Sequence, residues 1–213
     1  MTAIRPGLPP LPPRMRALPV DARGYPVPYF VAWRDGVPDH RFADEGKRAR
    51  VLASRRCWLC GDQLGRWLVF VIGPMCAINR ITSEPPCHRD CAIFAVRACP
   101  FLTRPKATRR MSDREGSVAP PGQAIERNPG ASALWTTTSF ELIPAPQGGE
   151  LVMMGDPARI EWFAEGRPAR RAEIVEAIDS GLPFLLAADP GDEEARVEIA
   201  ARYSALQAWL PAA

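Results

Sequence analysis

The sequence predicts an α+β protein made of two parts. Three observations predict it: helix-like and strand-like runs occur on both sides of residues 103–130, those residues have almost no apolar periodicity, and distinctive Cys and His residues cluster in the first part. Of the 213 residues, 46% are hydrophobic and 24% are charged, which is typical of globular domains. The longest apolar run, residues 67–78, has 12 residues, too few for a membrane span of roughly 18.

Residues 1–23 are predicted to form a flexible, proline-rich arm. Eight of the 24 prolines lie within residues 1–28, and proline is disfavoured inside helices and central strands. The arm lacks the apolar core of a secretory signal, so we expect a cytoplasmic protein. Because the residues before Met15 are low in complexity, Met15 is a candidate for the natural start.

Residues 24–102 form the predicted N-terminal module. Aromatic and β-branched runs that end in turn signals predict strands, and proline favours the first turn of a helix. The strongest strand signal is residues 67–72, which are apolar throughout and lie between two glycines. The predicted elements are a strand at 29–33, a helix at 43–54, a strand at 67–72, and a helix that Pro85 and Pro86 open and that ends before Pro100.

Residues 131–213 form a predicted acidic α+β domain, which follows an arginine-rich linker at 103–130. Asp156 and Pro157 are typical of an N-cap and first turn, and Gly181 is typical of a helix end. The predicted elements are strands within 133–142 and 150–154, a short helix after Asp156 that carries Ile160 and Phe163, a helix at 168–180, and a helix from Asp192 with Ile199, Tyr203, Leu206 and Leu210 on one face.

Charge is distributed unevenly along the chain. Residues 1–128 contain 21 Lys and Arg against 11 Asp and Glu, whereas residues 129–213 contain 6 against 13. Either the two parts neutralise each other, which we place slightly ahead, or the basic part binds an anionic partner such as nucleic acid. For the second interpretation, the candidate nucleic-acid-binding residues are Arg55, Arg56, Arg66, Arg104, Lys106, Arg109 and Arg110.

Four residues in the first part have the spacing of a metal site. Cys57 and Cys60 are separated by two residues and followed by a glycine, an arrangement in which both thiolates can bind one Zn²⁺. His88 and Cys91 are related as i and i+3 at the predicted helix start, so their side chains share a face. Four protein ligands close a tetrahedral zinc site. We therefore predict one structural Zn²⁺.

Two alternatives concern the same cysteines. Cys87 and Cys91 are also spaced as i and i+4, so Cys87 is a candidate substitute for His88 as a ligand. A Cys-x-x-Cys pair is also the pattern of a redox-active dithiol, but that motif normally opens a helix after a strand, and here a strand is predicted to follow it. Cys76 and Cys99 are predicted to be small buried hydrophobic residues.

The segment from about residue 56 to residue 99 resembles a treble-clef zinc finger. In that family a Cys-x-x-Cys knuckle precedes a β-hairpin, and two further ligands lie on the first turn of a helix. The resemblance implies that Cys57 and Cys60 are the knuckle ligands and that His88 and Cys91 are the helix ligands.

Treble-clef folds include the His-Asn-His nucleases, which place a histidine base on the hairpin after the knuckle. The chain has two histidines. If His88 binds metal, only His40 remains, and it lies before the knuckle; Asn79 follows the knuckle without a histidine beside it. We expect His40 to lie in a surface loop, so a nuclease is the least favoured of the functions considered.

The chain is also similar to uncharacterised proteins encoded in bacteriophage and prophage genomes. The similarity covers residues 24–210 and rests on GYPVPYFVAW, CWLCG, FVIGPMCAINR, EPPCHRDCA and ACPFL, followed by LWTTTSF and EGRPARRAE. It implies a location in the host cytoplasm and supplies no activity.

The sequence predicts binding rather than catalysis. It contains no Gly-x-Ser-x-Gly motif, no phosphate-binding loop and no dinucleotide fingerprint. We predict a zinc-binding accessory protein that binds a protein partner. The alternative is a nucleic-acid-binding zinc-finger protein, and the lesser alternative is a metal-dependent nuclease.

Overall fold

A computed structural model describes residues 2–105, 107–108, 127–146, 148–187 and 193–212. The fold is α+β, as the sequence predicts. The strands are β1 (Val31–Arg34), β2 (Val37–Ala43), β3 (Leu68–Ile72), β4 (Ile81–Thr82), β5 (Ser132–Thr137), β6 (Phe140–Pro144), β7 (Glu150–Met154), β8 (Arg159–Ala164) and β9 (Arg167–Pro168). The helices are α1 (Glu45–Ser54), α2 (Pro74–Asn79), α3 (Arg89–Ala98), α4 (Pro100–Thr103), α5 (Arg171–Ala187) and α6 (Glu193–Leu206). Among the described helices, none has the length and apolar character needed to cross a bilayer.

The main sheet joins strands from both sides of residues 103–130. Its order is β3-β5-β8-β9, and each pair is antiparallel. Phe70 of β3 lies opposite Trp135 of β5, which in turn lies opposite Ile160 of β8. A second sheet, β4-β7-β6, also combines both sides, while β1 and β2 form a separate hairpin. The boundaries of the two parts stay a prediction, but their strands are hydrogen-bonded into common sheets.

The hydrophobic core is continuous across the same region. All six residues of β5 are buried, because the strand lies between β3 and β8 and is contacted by α2 and α3. Helices α5 and α6 both pack on α2. Phe70, Trp135, Ile174 and Ile178 are each at most 2% exposed and belong to one cluster. The core therefore draws large side chains from both predicted parts.

Residues 159–164 form a strand, so the predicted short helix after Asp156 is wrong. Strand β8 pairs with β5, and this position buries Ile160, Trp162 and Phe163. Pairing with the central strand outweighs the local N-cap signal, since tertiary contacts override propensity. Asp156 instead forms an ion pair with Arg80, with 2.6 Å between Oδ1 and the guanidinium.

Helix α5 continues through the predicted end at Gly181. A Cβ at Gly181 would lie 3.1 Å from side-chain atoms of Met75, so the absent side chain permits close packing against α2. Pro183 also lies inside the helix. The predicted start at residue 168 is too early, because Pro168 belongs to β9.

The proline-rich arm lies against the rest of the protein. Residues Pro13–Met15 form a short 3₁₀ turn, and the Met15 side chain is 1% exposed. The N–H of Arg5 donates to the Gly24 carbonyl at 2.9 Å. The flexibility of the arm stays a prediction, but the buried methionine anchors its second half in the core.

Candidate metal centre

Cys57 and Cys60 lie on a tight turn before β3. The N–H of Cys57 donates to the Asp62 carbonyl at 2.7 Å, and the N–H of Gly61 donates to the Cys57 carbonyl at 2.9 Å. Gly61 has φ +83°, and a Cβ there would lie 2.8 Å from the Tyr29 ring. The turn therefore requires the glycine that follows Cys60, both for the backbone angle and for the close approach of Tyr29.

His88 and Cys91 lie at the beginning of α3. Cys87 pairs with Val69 of β3 through two backbone hydrogen bonds of 2.8 and 3.0 Å, so the chain is still extended at that residue. His88 is then the N-cap of α3, and Cys91 lies in its first turn. The helix start predicted at Pro85 is too early, because strand pairing holds this segment.

The turn and the helix start bring four potential ligands together. The Sγ atoms of Cys57, Cys60 and Cys91 and a ring nitrogen of His88 all lie within 4.8 Å of one another. Cys57 and Cys91 are fully buried. The backbone N–H groups of Cys60 and His88 each lie 3.4 Å from Cys57 Sγ, where they stabilise a thiolate. These four residues can therefore hold a metal ion.

Hydrogen bonding orients the imidazole of His88. Its Nδ1 lies 3.4 Å from Cys60 Sγ, and its Nε2 lies 3.0 Å from the Gln63 carbonyl. A carbonyl can only accept, so Nε2 carries a proton; in the neutral imidazole, the form that binds a metal, Nδ1 then has a lone pair directed at the cluster. Such a second partner is the usual support of a metal-bound histidine.

The three thiols influence each other's ionisation. Hydrogen bonds from Cys60 and Cys91 lower the pKa of Cys57. In turn, hydrogen bonding to Cys57 raises the pKa of Cys60 to about 12 and also raises the pKa of Cys91. The protein alone therefore favours one thiolate among the three. A divalent cation provides the charge that keeps all three deprotonated, so the cluster fits a metal.

Cys87 lies outside the cluster. Its side chain is buried, and its Sγ donates a hydrogen bond to the Val69 carbonyl at 3.0 Å. Burial raises the pKa of this thiol well above its usual value, whereas a metal ligand must be a thiolate. The geometry favours His88 over Cys87 as the fourth ligand.

We expect Cys87→Ala to keep the metal and His88→Ala to lose or weaken it. The first change removes one side-chain hydrogen bond, which costs about 1 kcal/mol of unfolding free energy; the second removes a ligand. Metal content of the purified variants, measured by elemental analysis, checks this. His88→Cys is the matched control, because it restores a fourth donor. A metal-free Cys87→Ala beside a metal-bound His88→Ala would assign the fourth ligand to Cys87.

The other candidate residues within the described part of the chain lie around the ends of α1 and α4 and on either side of the metal-binding turn. Arg56 donates a hydrogen bond to the Gly61 carbonyl at 3.0 Å. Arg66 lies over the Trp67 ring, with 5.2 Å between its guanidinium carbon and the ring centre. Arg55 and Arg104 follow the ends of α1 and α4. Lys106, Arg109 and Arg110 lie outside the described residues. The role of this basic set in nucleic-acid binding stays a prediction.

A groove beside the metal cluster was missed by the sequence analysis. Its volume is about 890 Å³. The residues that line it come from the arm, the segment 63–67 after the knuckle, the start of α3, β5 and β8, and they include Arg14, Gln63, Arg66, Trp67, His88, Arg89, Asp90 and Arg159. Residues 63–67 and 88–90 are each contiguous in the sequence, but their approach to Arg14 and Arg159 depends on the fold.

His40 does not lie in a surface loop, so that prediction is wrong. It lies on β2, and its Nε2 is 3.2 Å from Oδ2 of Asp21. Burial lowers the pKa of its imidazole. Asn79 accepts a hydrogen bond from the Ile81 N–H at 2.9 Å. Neither residue belongs to the described metal cluster.

Comparisons with protein-family models, with curated proteins and with solved structures found no match for this chain. The resemblances to treble-clef fingers and to phage-encoded proteins therefore stay predictions.

Proposed function

We propose that this chain is a binding protein stabilised by one structural Zn²⁺, with Cys57, Cys60, His88 and Cys91 as ligands. The observation that carries the proposal is the approach of these four donors to within 4.8 Å of one another. Three thiolates and one imidazole are a donor set that favours zinc over hard cations. Four protein ligands leave no position open for substrate, so the metal's role is structural.

The same arrangement argues against a redox-active dithiol. Cys91 and His88 both lie against the Cys57–Cys60 pair, whereas a dithiol needs only two sulfurs. The pair also lies on a turn that is followed by β3, and it does not open a helix. The third thiol and the hydrogen-bonded imidazole have no role in a dithiol, but they complete a four-ligand metal site.

We also propose that residues 56–99 of this module form a treble-clef-like zinc finger. The order of features supports it: the knuckle at 57–60, the pairing of Val69 with Cys87, and helix α3 with its two ligands. The inserted residues between the paired segments contain α2 and β4. This insertion carries strand β4 into the second sheet, so the finger is continuous with the rest of the fold.

A binding role fits better than a nuclease. A metal-dependent nuclease requires a histidine base near a catalytic cation. In our assignment His88 is a zinc ligand, and His40 lies beside Asp21 instead. Of the two partner classes predicted from the sequence, a protein came first and nucleic acid second. The arginine-lined groove favours nucleic acid.

The zinc proposal is tested on the full chain purified without chelator. Elemental analysis should find about one zinc per chain, as expected from the single four-residue cluster among the described residues. Replacement by Co²⁺ should give the visible absorption of a tetrahedral sulfur-rich site. Protein that is folded and contains no zinc or other metal would overturn the proposal.

A further inference from the structure

The groove beside the metal cluster collects arginines from distant parts of the chain. Arg14 comes from the arm, Arg66 from the segment before β3, Arg89 from α3 and Arg159 from β8. Arg14 is held there because the next residue, Met15, is buried in the core. Four guanidinium groups at one surface create a positive potential that attracts anions.

Two of these arginines are available to a ligand. Arg89 and Arg159 both contact Glu161, at 2.7 and 3.0 Å. Within the described part of the chain, no carboxylate forms an ion pair with Arg14 or Arg66. The four arginines exceed the nearby carboxylates, Asp90 and Glu161, by two charges. Guanidinium groups bind phosphate oxygens in a bidentate manner.

An exposed aromatic ring lies in the same groove. The Trp67 side chain is 48% exposed, and Arg66 lies over its ring. An isolated surface tryptophan requires no explanation, but here Arg66 lies over the ring and three further arginines line the same groove. Aromatic rings beside arginines are the combination with which proteins bind single-stranded nucleic acid, because unpaired bases stack on the ring and phosphates bind the cations.

One candidate ligand of the metal cluster, His88, lines the groove. His88 and Gln63 both line it, and they are joined by the hydrogen bond between Nε2 and the Gln63 carbonyl. The segment from Gln63 to Trp67 therefore starts at the hydrogen-bond partner of a candidate metal ligand and ends next to β3. The ring and the arginine are held between two fixed points, so little ordering is needed on binding.

We propose that this groove binds single-stranded nucleic acid, with a base stacked on Trp67 and phosphates on Arg14 and Arg66. The inference rests on the proposed function, since His88, a proposed zinc ligand, lines the groove and is hydrogen-bonded to Gln63. The proposal goes further by naming single-stranded nucleic acid as the partner and this groove as its binding surface. A duplex is a poorer ligand because its bases are already stacked and cannot cover the ring.

The test measures fluorescence anisotropy of labelled 15-nucleotide oligo-dT with the full chain over a range of salt concentrations. Wild-type protein should bind at low salt, and affinity should fall as salt rises. Trp67→Ala should weaken binding about tenfold through the lost stacking. The double change Arg14→Ala and Arg66→Ala should weaken binding and reduce the salt slope by about 1 to 2.

Matched controls come from the β1–β2 hairpin. Trp33 is 45% exposed, close to the value for Trp67, and does not line the groove. Trp33→Ala and Arg34→Ala should therefore leave oligo-dT binding unchanged. Equal losses at Trp33 and Trp67, or equal affinity for duplex DNA of the same length, would overturn the proposal.

Zinc content measured on the same samples separates the two proposals. Zinc-containing protein that fails to bind oligo-dT at low salt overturns the groove proposal, leaves the metal proposal intact and returns a protein partner to first place. Metal-free protein that binds with the expected Trp67 dependence overturns the metal proposal and supports the groove.

Discussion

Replacing Cys57 by serine is expected to abolish zinc binding and to unfold the chain at room temperature. Cys57 is fully buried and lies at the centre of the cluster, where two backbone N–H groups approach its sulfur. Structural zinc contributes about 10–16 kcal/mol to the folding of zinc-finger peptides at pH 7. Complete proteins have net unfolding free energies of about 5–15 kcal/mol. Loss of the metal is therefore comparable to the entire stability.

Circular dichroism during thermal unfolding, with zinc analysis of the same sample, measures this effect. Cys99→Ser is the matched control, because Cys99 precedes α4 and lies outside the described cluster. This variant should keep its zinc and melt close to wild type. A Cys57→Ser protein that melts like wild type would show that the cluster does not stabilise the fold.

Acid should have the same effect as the serine substitution, though reversibly. Zinc binding requires deprotonated thiolates and a neutral imidazole, so protons compete with the metal. Stability from the metal should be present at neutral pH and be lost as pH falls. Melting curves recorded at decreasing pH, with and without added zinc, measure the shift; a melting temperature independent of pH and zinc would contradict it.

The metal cluster could be predicted because its ligands lie in two short motifs. The spacing of Cys57 and Cys60 sets a turn, and the spacing of His88 and Cys91 sets one helical turn, so local geometry determines both pairs. Their approach to each other depends on the pairing of Val69 with Cys87. That pairing is a tertiary contact, which residue spacing does not predict. Only the resemblance to a treble-clef zinc finger indicated that the two motifs meet.

The errors in secondary structure share one physical cause. Asp156 and Gly181 carry local signals for a helix start and a helix end, but both are overridden by packing. The first precedes a strand that pairs with β5, and the second permits contact with Met75. An N-cap contributes about 0.5–2 kcal/mol, whereas burial contributes about 1.5–3 kcal/mol for each large side chain, and β8 buries Ile160, Trp162 and Phe163.

The groove was outside the reach of sequence analysis for a related reason. Arg14 and Arg159 are far apart in the chain, and only the fold places them beside Arg66 and Trp67. The charge asymmetry was visible in the sequence, and the structure joins the predicted parts by ion pairs that include Arg80 with Asp156 and Arg89 with Glu161. These pairs favour the interpretation that the parts neutralise each other in some places, while the groove keeps a positive surplus.

Cutting the chain after residue 128 is expected to prevent the first part from folding. Strand β3 would lose its partner β5. Solvent would then reach three side chains that are 0%, 1% and 4% exposed in the full chain, those of Leu68, Phe70 and Ile72. A buried aliphatic or phenyl side chain contributes about 1.5–3 kcal/mol. The loss over three such residues approaches the stability of a typical domain.

Urea unfolding of fragment 1–128, with zinc present, measures this against the full chain. The fragment should show no cooperative transition, and addition of fragment 129–213 should restore one, because the two pieces together rebuild the β3–β5 pairing. The full-length variant Trp135→Ala is an independent check, since loss of a buried tryptophan that lies opposite Phe70 should cost about 3–5 kcal/mol. If fragment 1–128 unfolds cooperatively by itself, the predicted division into two parts describes separate domains, and the shared sheet is only a contact between them.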